Sequence, residues 1–248
     1  MSVPSHLSWL VARPIAHRGY HNAGQGRIEN TLPAVMAAVE RGFATEVDIQ
    51  LTGDGEAVVF HDETLDRLTV ETGPLMARSA KDLATVRFKG ATEARIFTLA
   101  ELFEAVAERV TLVVEIKSQW TRKRSIPLVT RAVEIAKTYQ GPLAFKSFDP
   151  DIVTELYRQA PGIARGIVAD RTDDLHYYGH LSRMERFALR HLLHAPRSRP
   201  DFVSYCIDDL PMPGPSLLRK FGKPLMTWTV RRPEQRAKAA VEADQMVF

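Results

Sequence analysis

The sequence predicts an α/β protein with the TIM (β/α)8 barrel fold. The chain has 248 residues, and single α/β barrels are typically about 250 residues long. Apolar runs rich in β-branched residues alternate along the chain with amphipathic segments of helical length. Several apolar runs end in charged residues, and the carboxyl ends of parallel strands form the face where active sites lie in such folds. These observations together favour the barrel.

Eight apolar runs are predicted to be strands, and seven amphipathic segments between them are predicted to be helices. The predicted strands cover residues 14–18, 44–50, 110–117, 142–148, 164–169, 201–206, 224–230 and 244–248. The predicted helices cover residues 31–42, 98–108, 125–140, 150–160, 183–194, 214–221 and 233–242. A doubly wound sheet is the alternative arrangement, but no glycine-rich phosphate loop follows the first strand.

Local signals mark the starts of three helices. The segment Thr98–Glu101 has the spacing of a capping box. The segment Ser147–Pro150 offers an N-cap with proline at the first helical position. Asn30 is predicted to be the N-cap of a helix that begins at Thr31.

One connection is too long for a simple strand-to-helix turn. Residues from about 52 to 97 contain a hairpin-like turn at Thr52–Glu56, a short strand at Ala57–Phe60 and another turn at Thr72–Pro74. We interpret this segment as a small insertion after the second strand, at the mouth of the barrel, where it could cover the site. Residues 1–248 are otherwise predicted to form a single domain.

The composition is that of an ordinary globular protein, with 45% hydrophobic and 25% charged residues. A net charge of +3 slightly favours anionic small molecules but is too weak to indicate a nucleic-acid partner. The single cysteine, Cys206, excludes an intrachain disulfide and fits a reducing compartment. The short apolar patch Trp9–Ala12 is interpreted as a lead-in to the first strand, and no run approaches a membrane span. We therefore expect a cytoplasmic protein with no integral membrane association.

Charged groups close the first strand, the second strand, the short strand of the insertion and the strand that follows it. They lie in His17–Gly19, Glu46–Ile49, His61–Asp62 and Glu115–Lys117. Buried strands rarely carry such groups without a function or a partner. Three of these carboxylates, with two imidazoles, one guanidinium and one ammonium, suit a divalent cation and a phosphate ester, with the two histidines left for proton transfer.

The carboxylates point to a metal site. Glu46 and Asp48 are two residues apart on a strand, so both point to the same side, and Glu115 on the next strand would supply a third oxygen. Such a set fits Mg²⁺ or Ca²⁺ better than zinc. Salt bridges to Arg18 and Lys117 are the alternative explanation of the same residues.

The basic residues point to a phosphate ester and to proton transfer. His17 and His61 match a general acid and general base pair. Arg18 can bind two phosphate oxygens through its guanidinium fork. Lys117 shares the face of Glu115 and could neutralise the phosphate or a developing oxyanion.

The chain resembles the glycerophosphodiester phosphodiesterases, a family of phosphatidylinositol phospholipase C-like TIM-barrel enzymes. The resemblance covers essentially the whole chain and depends on an ordered set of motifs. These are His17–Gly19, Glu29–Thr31, Glu46–Asp48, Asp54–Gly55, Val58–Asp62, Leu65–Thr69, Glu115–Lys117, Phe145–Phe148 and Trp228–Val230. The resemblance implies a barrel with a small insertion after the second strand, and hydrolysis of glycerophosphodiesters to glycerol 3-phosphate and an alcohol.

The resemblance also implies a role for each matching residue. Carboxylates would hold Mg²⁺ or Ca²⁺, histidines would be the acid–base pair, and basic side chains would hold the phosphate. The implied residues are Glu46, Asp48 and Glu115 for the metal, His17 and His61 for proton transfer, and Arg18 and Lys117 for the phosphate. Trp228 would pack on the glycerol moiety, and Glu29 would bind the metal through water or orient Arg18.

Two other functions fit the same residues. One is a lysophospholipase D-type or phosphoinositide-cleaving lipid phosphodiesterase, and the other is a non-catalytic barrel that binds phosphodiesters. Two proton-transfer groups beside three carboxylates favour an enzyme with a small-molecule phosphodiester substrate. The basic segment Arg183–Arg199 is either a solvated helix face or a site for anionic lipid headgroups. The headgroup alcohol and the oligomeric state stay open.

Overall fold

The computed structural model describes residues 3–120 and 122–248, with the side chains of all of these except residues 122–124. Strands and helices alternate along this part of the chain. The strands are β1 Ile15–Ala16, β2 Ala44–Leu51, β3 Ala57–Val59, β4 Leu112–Ile116, β5 Leu143–Ser147, β6 Ala164–Ala169, β7 Phe202–Cys206, β8 Leu225–Trp228 and β9 Gln245–Met246. All eight predicted strands are present, and β3 is the short strand predicted within the insertion.

The helices include all seven that the sequence predicts. They are α1 Leu32–Glu40, α2 Ala80–Leu83, α3 Leu99–Val106, α4 Arg122–Ala136, α5 Pro150–Gln159, α6 Leu175–Tyr178, α7 Arg183–Arg190, α8 Ala195–Ser198, α9 Pro213–Lys220 and α10 Pro233–Glu242. This alternation of parallel strands and helices confirms the (β/α)8 barrel fold. Thr98 forms the predicted capping box with Glu101, and Asp149 caps α5 by accepting from the amide of Asp151.

The first compact unit, Ile15–Phe145, carries the strands whose ends are charged. Its strands follow one another in the order β1-β2-β4-β5, and β3 pairs with β2 outside this path. β2 is parallel to both β1 and β4, with Asp48 opposite Glu115 in the register. β2 is buried along its length except at Leu51, as expected for a strand of a parallel sheet covered on both faces. The parallel register collects the charged strand ends on one edge.

The predicted insertion follows β2 and has its own small core. β3 runs antiparallel to β2, from Leu51 opposite Ala57 to Ile49 opposite Val59. Its buried side chains share one cluster with Ile28 of the β1–α1 connection. The cluster contains Ile28, Val58, Phe60, Leu65, Leu75, Leu83, Val86, Phe88, Ala94 and Ile96. A packed core of this kind gives the loop that carries His61 a fixed position.

The second compact unit contains Lys146–Phe248 and the segment that ends at Pro14. Its strands follow in the order β6-β7-β8-β9 and are parallel. The connection from β6 to β7 holds α6, α7 and α8, where the sequence predicts one helix at 183–194. Helix α7 ends earlier than predicted because Leu192 takes a positive φ of 57°. None of the helices in the described residues combines the length and the apolar character that crossing a membrane requires.

The N-cap prediction for α1 is wrong. The N-cap of α1 is Thr31 and not Asn30, and the helix begins at Leu32. Asn30 takes a positive φ of 55°, and its fully buried side chain bonds to Asp48. The patch Trp9–Ala12, predicted to lead into the first strand, lies largely in a 3-10 helix, Ser5–Val11, that buries Leu7 and Leu10 and precedes β1.

Candidate active site

The turn after β1 places His17 and Arg18 beside the end of β2. Gly19 has a positive φ of 78°, and its amide donates to the carbonyl of Glu46 at 3.0 Å. A Cβ on Gly19 would lie 2.7 Å from the carbonyl carbon of Ala34 in α1. Only glycine fits a left-handed turn packed this closely. His17, directly before this turn, is half-buried.

Three buried carboxylates lie together on β2 and β4. Glu46, Asp48 and Glu115 are 0%, 2% and 5% exposed. One carboxylate oxygen from each lies within 4.8 Å of the others. The geometry therefore brings together the three carboxylates that the sequence suggests as a metal site.

The predicted salt bridges also form around these carboxylates. The amide of Arg18 donates to Glu46 at 3.0 Å, and Nε of Arg18 lies 3.4 Å from Asp48. Nζ of Lys117 lies 3.0 Å from Glu115 and 3.6 Å from Asp48. Burial alone raises the pKa of Asp48, but the nearby positive charges, Lys117 foremost, hold it well below its usual range.

Asn30 also holds Asp48 in place. Its Nδ2 donates to Oδ2 of Asp48 at 2.9 Å, and its Oδ1 accepts from the Asp48 amide at 3.1 Å. These paired bonds fix the carboxylate of Asp48 relative to its own backbone. The sequence motif contains Asn30, but this role was missed because the two residues are 18 positions apart.

A chain of ion pairs links Arg18 to His61. Arg18 Nη1 donates to Glu29 at 2.6 Å. Arg67 donates to Glu29 at 2.7 Å and to Asp62 at 2.6 Å. Oδ1 of Asp62 lies 2.6 Å from Nδ1 of His61. We call these five residues the ion-pair chain; it fixes both the guanidinium and the imidazole.

The ion-pair chain lowers the pKa values of its acids. Burial raises the pKa of Glu29, but bonds from Arg67 and Arg18 outweigh it and the pKa is lowered. The pKa of Asp62 is lowered in the same way, with burial opposed by His61 and Arg67. Both carboxylates are therefore ionised at neutral pH.

The geometry assigns the hydrogen of His61. An ionised carboxylate only accepts hydrogen bonds, so Nδ1 of His61 carries a hydrogen toward Asp62. Nε2 lies 3.2 Å from Nζ of Lys117. The backbone carbonyl of His61 accepts from the buried amide of Gln50 at 2.9 Å. In the neutral ring, Nε2 is thus the nitrogen with a lone pair.

The contacts around the triad leave a surplus of negative charge. With both histidines neutral, five carboxylates face three permanent cations in the described residues of this cluster. The carboxylates are Glu29, Glu46, Asp48, Asp62 and Glu115, and the cations are Arg18, Arg67 and Lys117. Salt bridges and a metal site are therefore compatible, since one divalent cation would neutralise the remainder.

Trp228 belongs to the second compact unit and lies at the end of β8. Its indole Nε1 donates to the carbonyl of Ser204 at 3.1 Å. The indole meets the ring of Phe148 edge to face, with 5.5 Å between centroids. Tyr177 packs on the same Phe148 at 5.8 Å. Trp228 is half-buried. The contact with Phe148, which itself packs on Tyr177, holds the indole in place.

The sequence model of the glycerophosphoryl diester phosphodiesterase family matches residues 17–246 of this chain. The matched region contains both histidines, the three carboxylates and Trp228. The chain belongs to this family. Membership confirms the resemblance recognised in the sequence and the predicted enzyme class, a phosphoric diester hydrolase.

Known family members resemble the chain along most of its length. A glycerophosphodiester phosphodiesterase of Caldanaerobacter subterraneus is 31% identical over 231 residues, covering 89% of this chain and 86% of that protein. Human glycerophosphodiester phosphodiesterase 1 is 31% identical over 170 residues, covering 62% of this chain and 50% of that protein.

Solved structures of phosphodiesterases share the fold. A Thermotoga maritima glycerophosphodiester phosphodiesterase superposes with a TM-score of 0.70 at 28% identity, covering 94% of this chain and 92% of that one. An Oleispira antarctica phosphodiesterase, solved with its product sn-glycerol-3-phosphate, superposes with a TM-score of 0.78 at 22% identity. The superposition covers 96% of this chain and 94% of that one. The agreement over nearly the whole length supports the same barrel here.

Proposed function

We propose that the protein hydrolyses glycerophosphodiesters to sn-glycerol 3-phosphate and an alcohol in a metal-dependent reaction. The observation that carries the proposal is the buried triad of Glu46, Asp48 and Glu115 next to a histidine held by a carboxylate. The product bound to the Oleispira antarctica phosphodiesterase supports the choice of substrate class.

Glu46, Asp48 and Glu115 would hold the divalent cation, Mg²⁺ or Ca²⁺. Oxygen-only ligands of this kind suit both ions. A bound cation would polarise a phosphate oxygen and stabilise the charge that develops on it. The surplus of two negative charges in the cluster supports this assignment.

The two histidines would move the protons. His61 is assigned as the general base, because Asp62 occupies its Nδ1 and leaves Nε2 as the acceptor. His17 is assigned as the general acid that protonates the leaving alcohol. The nucleophile whose proton His61 removes is water or the adjacent glycerol hydroxyl, and attack by the hydroxyl would pass through a cyclic phosphate.

Basic and aromatic side chains would position the substrate. Arg18 and Lys117 would bind the phosphate. In doing so they would exchange their present carboxylate partners for phosphate oxygens. Glu29 would orient Arg18, as their 2.6 Å bond indicates. Trp228 would offer its exposed part to the glycerol moiety.

Phosphorus NMR on a mixture of glycerophosphodiesters tests the reaction. Glycerol 3-phosphate should appear with Mg²⁺ or Ca²⁺, and its formation should stop when EDTA is added. A cyclic phosphate signal would identify attack by the glycerol hydroxyl. Folded protein that releases no product with any divalent metal would contradict the proposal. Release of lysophosphatidate from a lysophospholipid, with no turnover of glycerophosphodiesters, would identify the lysophospholipase D-type alternative.

Variants separate the proposed roles. His17→Ala and His61→Ala should each lower kcat by more than about 100-fold, while His176→Ala at an exposed position should not. Glu46→Gln and Asp48→Asn should weaken binding of Mg²⁺ or Ca²⁺ in calorimetry. Glu63→Gln, an exposed acid in the insertion, is the matched control. Metal binding unchanged in both triad variants would refute the assigned ligands.

A further inference from the structure

A surface on the second compact unit exposes an unusual number of large apolar side chains. Among the described residues, nine such side chains are exposed, and five of them lie on α7, on the turn after α7, on α9 or on the residue that ends α9. These are Met184 at 83%, Phe187 at 56%, Leu193 at 59%, Leu217 at 54% and Phe221 at 75%. Isolated exposed apolar residues are ordinary, but a concentration of them marks an interaction surface.

Met184 lies three residues before Phe187 on the same face of α7, and the following contacts link the other four side chains. The ring of Phe187 lies 4.4 Å from the ring of His191. His191, Leu193 and Leu217 line the same cavity of about 560 Å³. The amide of Phe221 donates to the carbonyl of Leu217, one helical turn away. We call this the α7–α9 surface.

Most of the charged groups along the α7–α9 surface are cations. Arg199 and Lys223 line the cavity, Lys220 precedes Phe221 and Arg183 precedes Met184. Within the described part of the chain, these four side chains form no ion pair with a carboxylate. The surface therefore combines apolar side chains with available positive charge.

Three acids of the same region have hydrogen-bond or ion-pair partners other than these four cations. Glu185 turns back to accept from the amide of Ser182 at the start of α7, at 2.8 Å. Asp173 pairs with Arg190. Asp151 of α5 pairs with Arg197 at 2.9 Å. Asp173 and Asp151 are therefore paired with arginines outside the set of four, and Glu185, the one acid of α7, leaves these four cations in excess.

We propose that the α7–α9 surface binds the interface of an anionic lipid bilayer. Apolar side chains would enter the boundary between headgroups and acyl chains, and the cations would contact lipid phosphates. The arrangement is that of a peripheral attachment, in which no helix crosses the membrane. A second copy of the chain fits less well, because a symmetric contact would bring the same cations face to face.

Flotation with lipid vesicles tests the proposal. The wild-type protein should float with phosphatidylcholine vesicles that contain about 30 mol% phosphatidylglycerol, and much less with phosphatidylcholine alone. The bound fraction should fall when NaCl rises from about 0.05 M to about 0.5 M, because salt screens the cations. The variant Leu217→Glu/Phe221→Glu should bind at least about tenfold more weakly.

Val241→Glu is the matched control, because Val241 is 73% exposed on α10 of the same unit. It should keep vesicle binding, and all variants should keep the turnover of a water-soluble glycerophosphodiester. Wild-type protein that does not float with anionic vesicles would overturn the proposal. So would equal binding by Leu217→Glu/Phe221→Glu, or a wild-type dimer in light scattering that this double variant abolishes while vesicle binding is unchanged.

Discussion

Backbone strain at single residues marks the turn between β1 and α1. Arg18 and Asn30 both have φ of 55°, a region that residues other than glycine rarely adopt. The amide of Asn30 donates to the carbonyl of Arg18 at 2.9 Å, and both side chains contact Asp48. Strained residues persist where the surrounding contacts fix them. We interpret the positive φ angles of Arg18 and Asn30 as the backbone geometry that lets both side chains contact Asp48.

Gly19→Ala should destabilise the protein more than Gly26→Ala. Both glycines have positive φ, 78° and 72°, so both substitutions carry the strain of a left-handed residue. The Cβ at position 19 would also collide with the backbone of α1, whereas none of the neighbouring atoms comes within 4 Å of a Cβ at position 26. We expect a loss of about 1–2 kcal/mol at Gly26 and about 2–5 kcal/mol at Gly19 in urea unfolding. Equal losses of unfolding free energy in the two variants would show that α1 shifts at no cost to accommodate the new Cβ.

Asp62→Asn tests the control of His61. The amide would keep the size of the side chain but lose the charge that Arg67 and the imidazole contact. Loss of such an orienting partner commonly costs about 10–100-fold in activity. We expect that fall in kcat with a small change in KM. Asp66→Asn is the control, since Asp66 is exposed and bonds to Gly73 and Thr64 within the insertion. A kcat for Asp62→Asn equal to that of Asp66→Asn would remove Asp62 from the mechanism.

At the scale of elements, the insertion is a small packed module. It carries His61, Asp62 and Arg67 on the loop after β3. The 3-10 helix Leu75–Ala77 and the short helix α2 close its core. The amide of Gly53 donates to the carbonyl of Arg78 at 2.8 Å and ties the module to the end of β2. The position of the imidazole thus depends on packing within the insertion.

Leu75→Ala should therefore affect both stability and catalysis. Leu75 is buried in the insertion core, and truncation of such a leucine costs about 2–5 kcal/mol. The adjacent Met76→Ala should cost less than about 0.5 kcal/mol, because Met76 is exposed. Urea unfolding gives both values, and kcat should fall only for Leu75→Ala. Normal kcat in a destabilised Leu75→Ala protein would show that the insertion core does not position His61.

Elements with local signals could be predicted from the sequence, and elements held by distant contacts could not. Thr98 and Asp149 cap their helices through residues two or three positions away, so the sequence pattern predicts them correctly. Asn30 is wrongly predicted because a buried bond to Asp48 outweighs its preference for an N-cap. Arg67 was missed because its partner Glu29 lies 38 positions away. The carboxylate triad could be predicted because strand alternation and parallel register bring its residues together.

At the scale of the whole molecule, the second compact unit is assembled from both ends of the chain. Gln245 Nε2 donates to the carbonyl of Val11 at 2.7 Å. Dividing the chain at a single position therefore cannot separate the two units. The family match also includes residues of both units. We propose that residues 1–248 fold as a single domain, as the sequence predicts. Cys206 is half-buried, and burial raises the pKa of its thiol to about 11, which keeps it protonated at neutral pH.

His194 should make the stability of the protein depend on pH. Burial, and then the charge of Arg197, lower the pKa of His194 to about 4. An unfolded chain takes up this proton below about pH 6.5, whereas the folded chain does so only near its own lowered pKa. The stabilising contribution is therefore complete above about pH 6.5 and is lost as pH falls toward that lowered value. Between pH 7 and pH 5 the free energy of unfolding should fall by about 2 kcal/mol.

Replacing the histidine isolates this effect from other titrating groups. His194→Gln should flatten the fall between pH 7 and pH 5, as measured by urea unfolding at each pH. His176→Gln should keep the wild-type dependence, because His176 is exposed on α6. Asp48 and Asp62 have lowered pKa values, so their contributions are lost only in more acidic solution. A pH dependence that is the same in His194→Gln and in the wild type would show that His194 binds its proton equally well in the folded and unfolded chain.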